Sequence, residues 1–346
     1  MEERGLASLL VTSLPNVFYL TGFRGTAGAA LVGASESVLW VDPRYILQAR
    51  EQAEGAEVIE SKHGILNAVG TWLRKRRVRR VGYEAAHLTC ADFDRLARKA
   101  GTRVKLSPAG SLVEELRLVK DAEEIEKIRG AGRITARAFE HVLSHVRPGV
   151  READLAAEIE YRMRKMGAEG AAFETIVASG PRGAFPHARA SRKLLEKDEL
   201  VILDLGAILC GYAADMTRTV CLGEPSRRIR RLYNAVIGAQ QRALESLRNG
   251  VRAGTVDRAA RQHLAARGLA SLFTHATGHG VGLEIHEAPR LARGEKAKLP
   301  AGCVVTAEPG VYLRGLGGIR IEDTVLVGSN GPEILTPAPK DRWVLD

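Results

Sequence analysis

The sequence predicts two domains, a small α/β domain followed by a larger α+β domain with a pseudo-twofold helix-helix-hairpin duplication. Three observations carry this. Short β-rich runs alternate with helical stretches from Leu6 to Leu106. Long helical patterns take over from Asp121. The segment Gly149-Val150-Arg151-Glu152-Ala153-Asp154 then returns as Gly250-Val251-Arg252-Ala253-Gly254-Thr255-Val256-Asp257, and each copy precedes a β-rich region with paired acids. The expected boundaries are an N-terminal domain over residues 1–115, a linker over 116–121 and a second domain over 122–346.

Taken in order, Leu6–Val11 reads as a buried strand and Ser13–Asn16 as a turn. Strands follow at Ala29–Val32 and Ser37–Val41 across the turn Gly33–Glu36. Asp42-Pro43 opens a helix to about Gln52. The alternation continues as strand Glu57–Glu60, helix Ile65–Arg77, strand Arg79–Tyr83, helix Ala91–Lys99 and strand Arg103–Leu106. Asp121, with Glu124 three residues on, has the spacing of a capping box. That helix runs to about His145 and stops at Arg147-Pro148-Gly149. The next helix ends at Gly167, and its counterpart in the second copy ends at Gly268.

The 346 residues are 45% hydrophobic and 27% charged, the balance of an ordinary soluble protein. The apolar run Leu6–Val11 is too short for a signal peptide, and no segment reaches the ~18 apolar residues of a membrane span. A cytoplasmic protein is expected. Cys90, Cys210, Cys221 and Cys303 lack any Cys-x-x-Cys spacing, so reduced thiols are expected rather than disulfides or a zinc knuckle. The net charge of +10 raises the question of nucleic acid. Its densest run, Arg74 to Arg80, follows the helical pattern of Ile65, Leu66, Val69, Trp72 and Leu73. Without interleaved aromatics it reads as a solvated helix end, and no nucleic-acid partner is expected.

The chemistry is concentrated in the two β regions. In Val201–Asp215, two apolar runs carry Asp204 and Asp215 on either side of Gly206 and Gly211. A turn at Leu209-Cys210 would set the aspartates opposite each other at ~5 Å, where like charges repel. They need a cation, a shared proton or an outward-facing register. In the second copy, Glu308 and Glu322 lie symmetrically about Gly315 in the turn Arg314–Gly318. Between the hairpins stands His279, in Thr277-Gly278-His279-Gly280-Val281-Gly282, where glycines allow close backbone approach.

These motifs resemble the pita-bread metallopeptidases, the family of methionine aminopeptidase, aminopeptidase P and prolidase. The likeness rests on Asp204 and Asp215, His279 in Thr-Gly-His-Gly, Glu308 in Glu-Pro-Gly, and Glu322 in Arg-Ile-Glu-Asp. Asn16-Val17-Phe18-Tyr19-Leu20-Thr21-Gly22 resembles the creatinase/prolidase-type N-terminal domain. The resemblance implies a dinuclear site: Asp204 on one ion, Asp215 and Glu322 bridging, His279 and Glu308 on the other. Four carboxylates and one imidazole form a hard donor set, which favours Mn²⁺, with Co²⁺, Zn²⁺ and Fe²⁺ as further candidates. His187 and His286 match the family's substrate-binding and proton-transfer histidines, and Glu308 matches its proton acceptor.

Arg290 matches an arginine that grips the C-terminal carboxylate of a dipeptide, with Arg293 as a competitor. Tyr212 and Arg320 stand beside ligands, where they would support them or touch substrate. The implied activity is an Xaa-Pro dipeptidase using a metal-bridging water. The alternative is an aminopeptidase P cleaving longer peptides with proline in second place. A metal-free enzyme or a binding protein on the same fold stands behind both. A homodimer is expected from the family.

Overall fold

The computed structural model describes residues 5–345. They form two compact units that divide between Arg117 and Leu118.

The first unit runs β1 (Ser8–Val11), α1 (Leu14–Thr21), β2 (Gly28–Gly33), β3 (Ser37–Val41), α2 (Ile46–Gln52), β4 (Glu57–Glu60), α3 (Ile65–Lys75), β5 (Arg80–Tyr83), α4 (Cys90–Ala100), β6 (Lys105–Pro108) and α5 (Leu112–Arg117). Its six-stranded sheet has the order β4-β3-β2-β1-β5-β6. The β1–β2–β3 meander is antiparallel, while the crossovers through α2 and α4 make β4 and β6 parallel to their neighbours. Alternation along the strands supplies two faces. Leu10 and Trp40 meet Leu73 and Leu96 of α3 and α4, whereas Leu39 and Val41 meet Val17 of α1. The stretch Ser13–Asn16, expected as a turn, forms the start of α1. Pro15 suits a first helical turn, and Gly22 at φ 74 ends the helix with its N–H on Phe18 O. Helix α5 also covers residues expected to start the linker.

The second unit contains two helix-pair-plus-sheet halves. The first half is α6 (Ala122–Val142), α7 (Glu152–Lys165), β7 (Gly170–Ala171), β8 (Ile176–Ser179), β9 (Leu200–Leu205), β10 (Ala207–Leu209), β11 (Tyr212–Ala213) and β12 (Met216–Leu222). The second is α8 (Arg227–Ser246), α9 (Ala253–Ala265), β13 (Gly278–Gly280), β14 (Glu287–Leu291), β15 (Val304–Ala307), β16 (Gly310–Leu313), β17 (Gly317–Arg320), β18 (Asp323–Gly328) and β19 (Gly331–Ile334), with β20 (Val344–Leu345) closing on β12. Phe139 and Ile159 of the first helix pair bury against Leu203 and Val220, and Val236 and Leu264 of the second against Val305 and Val325. The duplicated Gly-Val-Arg segments behave alike: Arg151 bridges to Leu194, and Arg252 bridges to Lys298.

In each half the second helix contributes a buried acid that holds site-bearing backbone. Glu152 accepts from Ser179 N at 2.8 Å and Ser191 N at 3.1 Å, bracketing the stretch that contains His187. Asp257 accepts from Thr277 N at 3.2 Å and Thr277 Oγ1 at 2.9 Å, just before His279. No helix among the described residues is long and apolar enough to cross a membrane, and the four cysteines are unbridged.

The capping box at the start of α6 forms as expected: Asp121 Oδ1 accepts Glu124 N at 2.9 Å, and Glu124 Oε2 accepts Asp121 N at 2.8 Å. Glu124 Oε1 also accepts the buried Tyr212 hydroxyl at 2.9 Å. Asp121→Ala therefore loses a cap, about 1 kcal/mol. Glu124→Ala loses the cap's reciprocal bond and a buried hydrogen bond, together about 2–3 kcal/mol. Urea denaturation followed by circular dichroism should rank Glu124→Ala as the more damaging; the reverse order would contradict this account of α6.

Candidate active site

The first hairpin turns one residue later than expected. Cys210 and Gly211 occupy its tip with φ 50 and 83, a two-residue turn with both φ positive, which suits glycine. Leu209 therefore pairs with Tyr212, and the same register in β9 and β12 sets Asp204 opposite Thr217 rather than Asp215. Asp215 lies two residues before Thr217, diagonal to Asp204. A two-residue offset preserves the face, so the carboxylates still converge. The second hairpin keeps its symmetry about Gly315. Gly310 pairs with Arg320, and Ala307 with Asp323, so Glu308 and Glu322 hold opposed positions between the two ladders.

Hydrogen bonds lace the halves together at this point. Glu322 N donates to Thr217 O at 3.1 Å. Asp215 N donates to Thr324 Oγ1 at 2.9 Å, and that hydroxyl donates back to Asp215 O at 2.8 Å. His279 lies mid-strand in β13, between β14 and β15. A Cβ at Gly278 would stand 2.0 Å from Thr306 O, and one at Gly280 would stand 2.1 Å from Ala288 O. Only glycine lets the three strands close around the imidazole.

His279 Nδ1 can only donate to Gly280 O, at 3.0 Å. This fixes the tautomer and leaves the Nε2 lone pair facing Glu308 Oε1 at 3.5 Å and Asp215 Oδ2 at 3.7 Å. Burial pushes the His279 pKa down to about 4, so the ring is neutral. Burial, then the charges of Asp204 and Glu308, raises Asp215 well above the ordinary carboxylate value. Glu322 is raised by burial and by Asp215. Burial raises Glu308 to about 7, although Arg320 pulls it the other way.

The sequence reading missed the residues that brace these ligands. Thr217 Oγ1 donates to Glu322 Oε2 at 2.6 Å, and Thr306 Oγ1 to Glu308 Oε1 at 3.3 Å. His275 Nδ1 donates to Ala276 O at 2.8 Å, so its Nε2 accepts the Tyr312 hydroxyl at 2.8 Å. Tyr312 in turn accepts Arg320 Nη1 at 2.8 Å. Thr217 carried a usable signal, because it lies two residues beyond Asp215 on the same strand face. His275 and Tyr312 carried none, since their contact depends on how the halves fold together.

A cavity of about 740 Å³ opens over the site. The five acid and imidazole residues line it, as do His187, His286, Arg290 and Arg320, with apolar wall from Phe173 and Ile285. Arg290 reaches the wall because it pairs across from His279 in β14. Arg293 lies outside this wall. So does Tyr212, expected near substrate, whose hydroxyl is directed to Glu124. Arg320 is on the wall but committed: Nη2 donates to Asp204 Oδ2 at 2.5 Å and Nε to Thr217 Oγ1 at 3.1 Å.

A family model described as metallopeptidase family M24 matches residues 126–329, over the unit that carries this cavity. The chain belongs to metallopeptidase family M24. A creatinase/prolidase N-terminal domain matches residues 1–119. This M24 chain is 38% identical over 343 residues to an uncharacterized peptidase of Bacillus subtilis, covering 99% of this chain and 97% of that one. An Xaa-Pro dipeptidase from Bacillus anthracis has TM-score 0.95 at 39% identity, covering 99% and 96% of the two chains. An X-Pro aminopeptidase from Thermotoga maritima has TM-score 0.92 at 37% identity, covering 99% of each.

Divalent metal ions belong to such a family, and the residues fit them. Asp204 Oδ1, Asp215 Oδ1 and Glu322 Oε1 are buried without a hydrogen-bond partner. Ligand atoms of Asp215, His279 and Glu322 lie within 4.8 Å of one another. Buried, unpaired anionic oxygens are costly unless a cation meets them. In the metal-free protein, raised carboxyl pKa values stabilise the fold at low pH, and that stability is lost as pH rises toward the folded values. The lowered histidines titrate below their unfolded value of about 6.5, so they add nothing above it. Between about pH 6.5 and about pH 8, the melting temperature of chelator-treated protein should therefore fall relative to Mn²⁺-loaded protein. A gap that narrows with rising pH would contradict this electrostatic account.

Proposed function

We propose that this chain is a dinuclear-metal-dependent Xaa-Pro dipeptidase that hydrolyses the bond before a C-terminal proline. Arg290 carries this reading over other peptidase readings. It is exposed on the cavity wall and pairs in register with His279, so a guanidinium fork stands beside the donor set. A dipeptide ends in a carboxylate that such a fork binds bidentately; a longer peptide has an amide there. The second reading, an aminopeptidase acting on longer Xaa-Pro peptides, is favoured by the likeness to the Thermotoga protein and by a cavity with room beyond a dipeptide.

In this proposal Asp204, Asp215, His279, Glu308 and Glu322 would hold two divalent ions between them. Mn²⁺ suits the oxygen-rich set best, with Co²⁺, Zn²⁺ or Fe²⁺ able to substitute. When bound, the two dications activate a water and polarise the scissile carbonyl. Glu308 takes the proton of the attacking water and returns one to the leaving proline nitrogen. His187 and His286 steady the carbonyl oxygen from the wall; burial holds the His286 pKa down, so it acts as a neutral imidazole. Arg320 keeps Asp204 in place rather than touching substrate. The same proposal includes a cytoplasmic homodimer acting on small peptides.

With Mn²⁺ present, Leu-Pro should be cleaved with higher kcat/KM than Leu-Pro-Pro, and preference for the tripeptide would favour the second reading. Arg290→Ala should lower kcat/KM for Leu-Pro roughly tenfold to a hundredfold, the loss of one charge-assisted contact, while changing Leu-Pro-Pro little. An unchanged ratio between the substrates would remove Arg290 from carboxylate recognition.

A further inference from the structure

A second cluster of metal-ligating side chains lies outside the catalytic cavity, where the end of α6 meets α7. His141 sits in the last turn of α6, His145 ends the 3-10 turn Leu143–His145, and Glu158 belongs to the second turn of α7. A ring nitrogen of each histidine and a Glu158 carboxylate oxygen lie within 4.8 Å of one another. Histidines four residues apart at a helix end commonly serve only to favour its negative terminus. That role leaves two features without a cause.

The first feature is His141 Nε2, which is enclosed and has no hydrogen-bond partner although it lies 3.5 Å from Glu158 Oε1. The second is the tautomer of His145. Ser144 has one hydroxyl proton, which it donates to His141 O at 3.0 Å. At its 3.2 Å contact with His145 Nδ1 it must therefore accept, so Nδ1 carries the proton and Nε2 keeps its lone pair. A metal-binding histidine is oriented in this way, one nitrogen donating to a neighbour and the other turned to the ion.

We infer that His141, His145 and Glu158 form a separate site, between the end of α6 and α7, for a borderline divalent ion such as Zn²⁺, Cu²⁺ or Ni²⁺. Two imidazoles and one carboxylate make a softer set than the acid-rich catalytic cradle, which selects these ions over Mn²⁺. Zn²⁺ takes such ligands at about 2.0–2.2 Å in a tetrahedral set, and Cu²⁺ or Ni²⁺ takes them in a tetragonal one. Arg162 Nε, 2.6 Å from Glu158 Oε1, supplies the positive charge until the ion displaces it. Bound, the ion ties α6 to α7, the helix whose Glu152 organises the backbone on either side of His187.

The test uses full-length, untagged protein loaded with Mn²⁺ and titrated with Ni²⁺ alone, read by isothermal calorimetry and metal analysis after dialysis. Wild type should take up one more equivalent of Ni²⁺ than His141→Ala, and its melting temperature should rise with that equivalent. His145→Ala should weaken the same uptake about tenfold or more. Arg162→Ala should tighten it, because a competitor for Glu158 is gone, while Mn²⁺ content and circular dichroism stay as in wild type. Equal Ni²⁺ uptake by wild type and His141→Ala would overturn the site. Unchanged or weaker uptake by Arg162→Ala would remove Glu158 from it.

Discussion

The second unit is organised around one electrostatic constraint, the burial of four carboxylates against one guanidinium. Asp204, Asp215 and Glu322 are each at most 7% exposed, and Arg320 is the buried cation among them. At such separations, in a low-dielectric setting, like charges repel by several kcal/mol. Burial and the neighbouring carboxylates raise Asp215 and Glu322 well above the ordinary carboxylate value, the mark of that repulsion. Asp204 has the better partner, with Arg320 Nη2 at 2.5 Å. The fold thus supplies negative charge beyond what its own cations neutralise, and leaves three oxygens without any donor. Divalent cations complete the balance.

The duplication is the means by which chain geometry imposes that constraint. Each half delivers two acids from one antiparallel pair of strands, and the halves join through backbone atoms next to the acids themselves. Glu322 N reaches Thr217 O, and Asp215 shares a reciprocal pair of bonds with Thr324. Displacing either hairpin by one residue would turn its acids to the opposite face. Glycines at 278 and 280 play the corresponding role for His279, because a methyl group at either position would collide with a neighbouring strand's carbonyl.

Much of this was legible in the residues. The alternation of strands and helices marked the first unit, and the repeated Gly-Val-Arg segment marked the two halves of the second. The symmetry of Glu308 and Glu322 about Gly315 survives in the ladder. The symmetry of Asp204 and Asp215 does not, because the two-residue turn falls at Cys210-Gly211, one residue later than Leu209-Cys210. That error was harmless, since two residues preserve a strand face. The first helix was missed because Leu14-Pro15-Asn16 reads as a turn, although proline also suits an opening helical turn. Tyr212 was placed beside substrate by its sequence neighbours, whereas the partner that decides its direction, Glu124, lies 88 residues away. Long-range bonds of this kind leave no local pattern.

Arg320 shows what the combination means for the site. Its sequence position beside Glu322 suggested either support of the ligands or contact with substrate. Its fork is instead distributed over three parts of the structure: Asp204 through Nη2, Tyr312 and Pro186 O through Nη1, and Thr217 through Nε. Thr217 in turn holds Glu322, and Pro186 precedes His187. One buried cation therefore orients an acid from each half and anchors the backbone beside a wall histidine. Arg320 occupies Asp204 Oδ2 and leaves Oδ1, buried without a hydrogen-bond partner, as the open oxygen of that carboxylate.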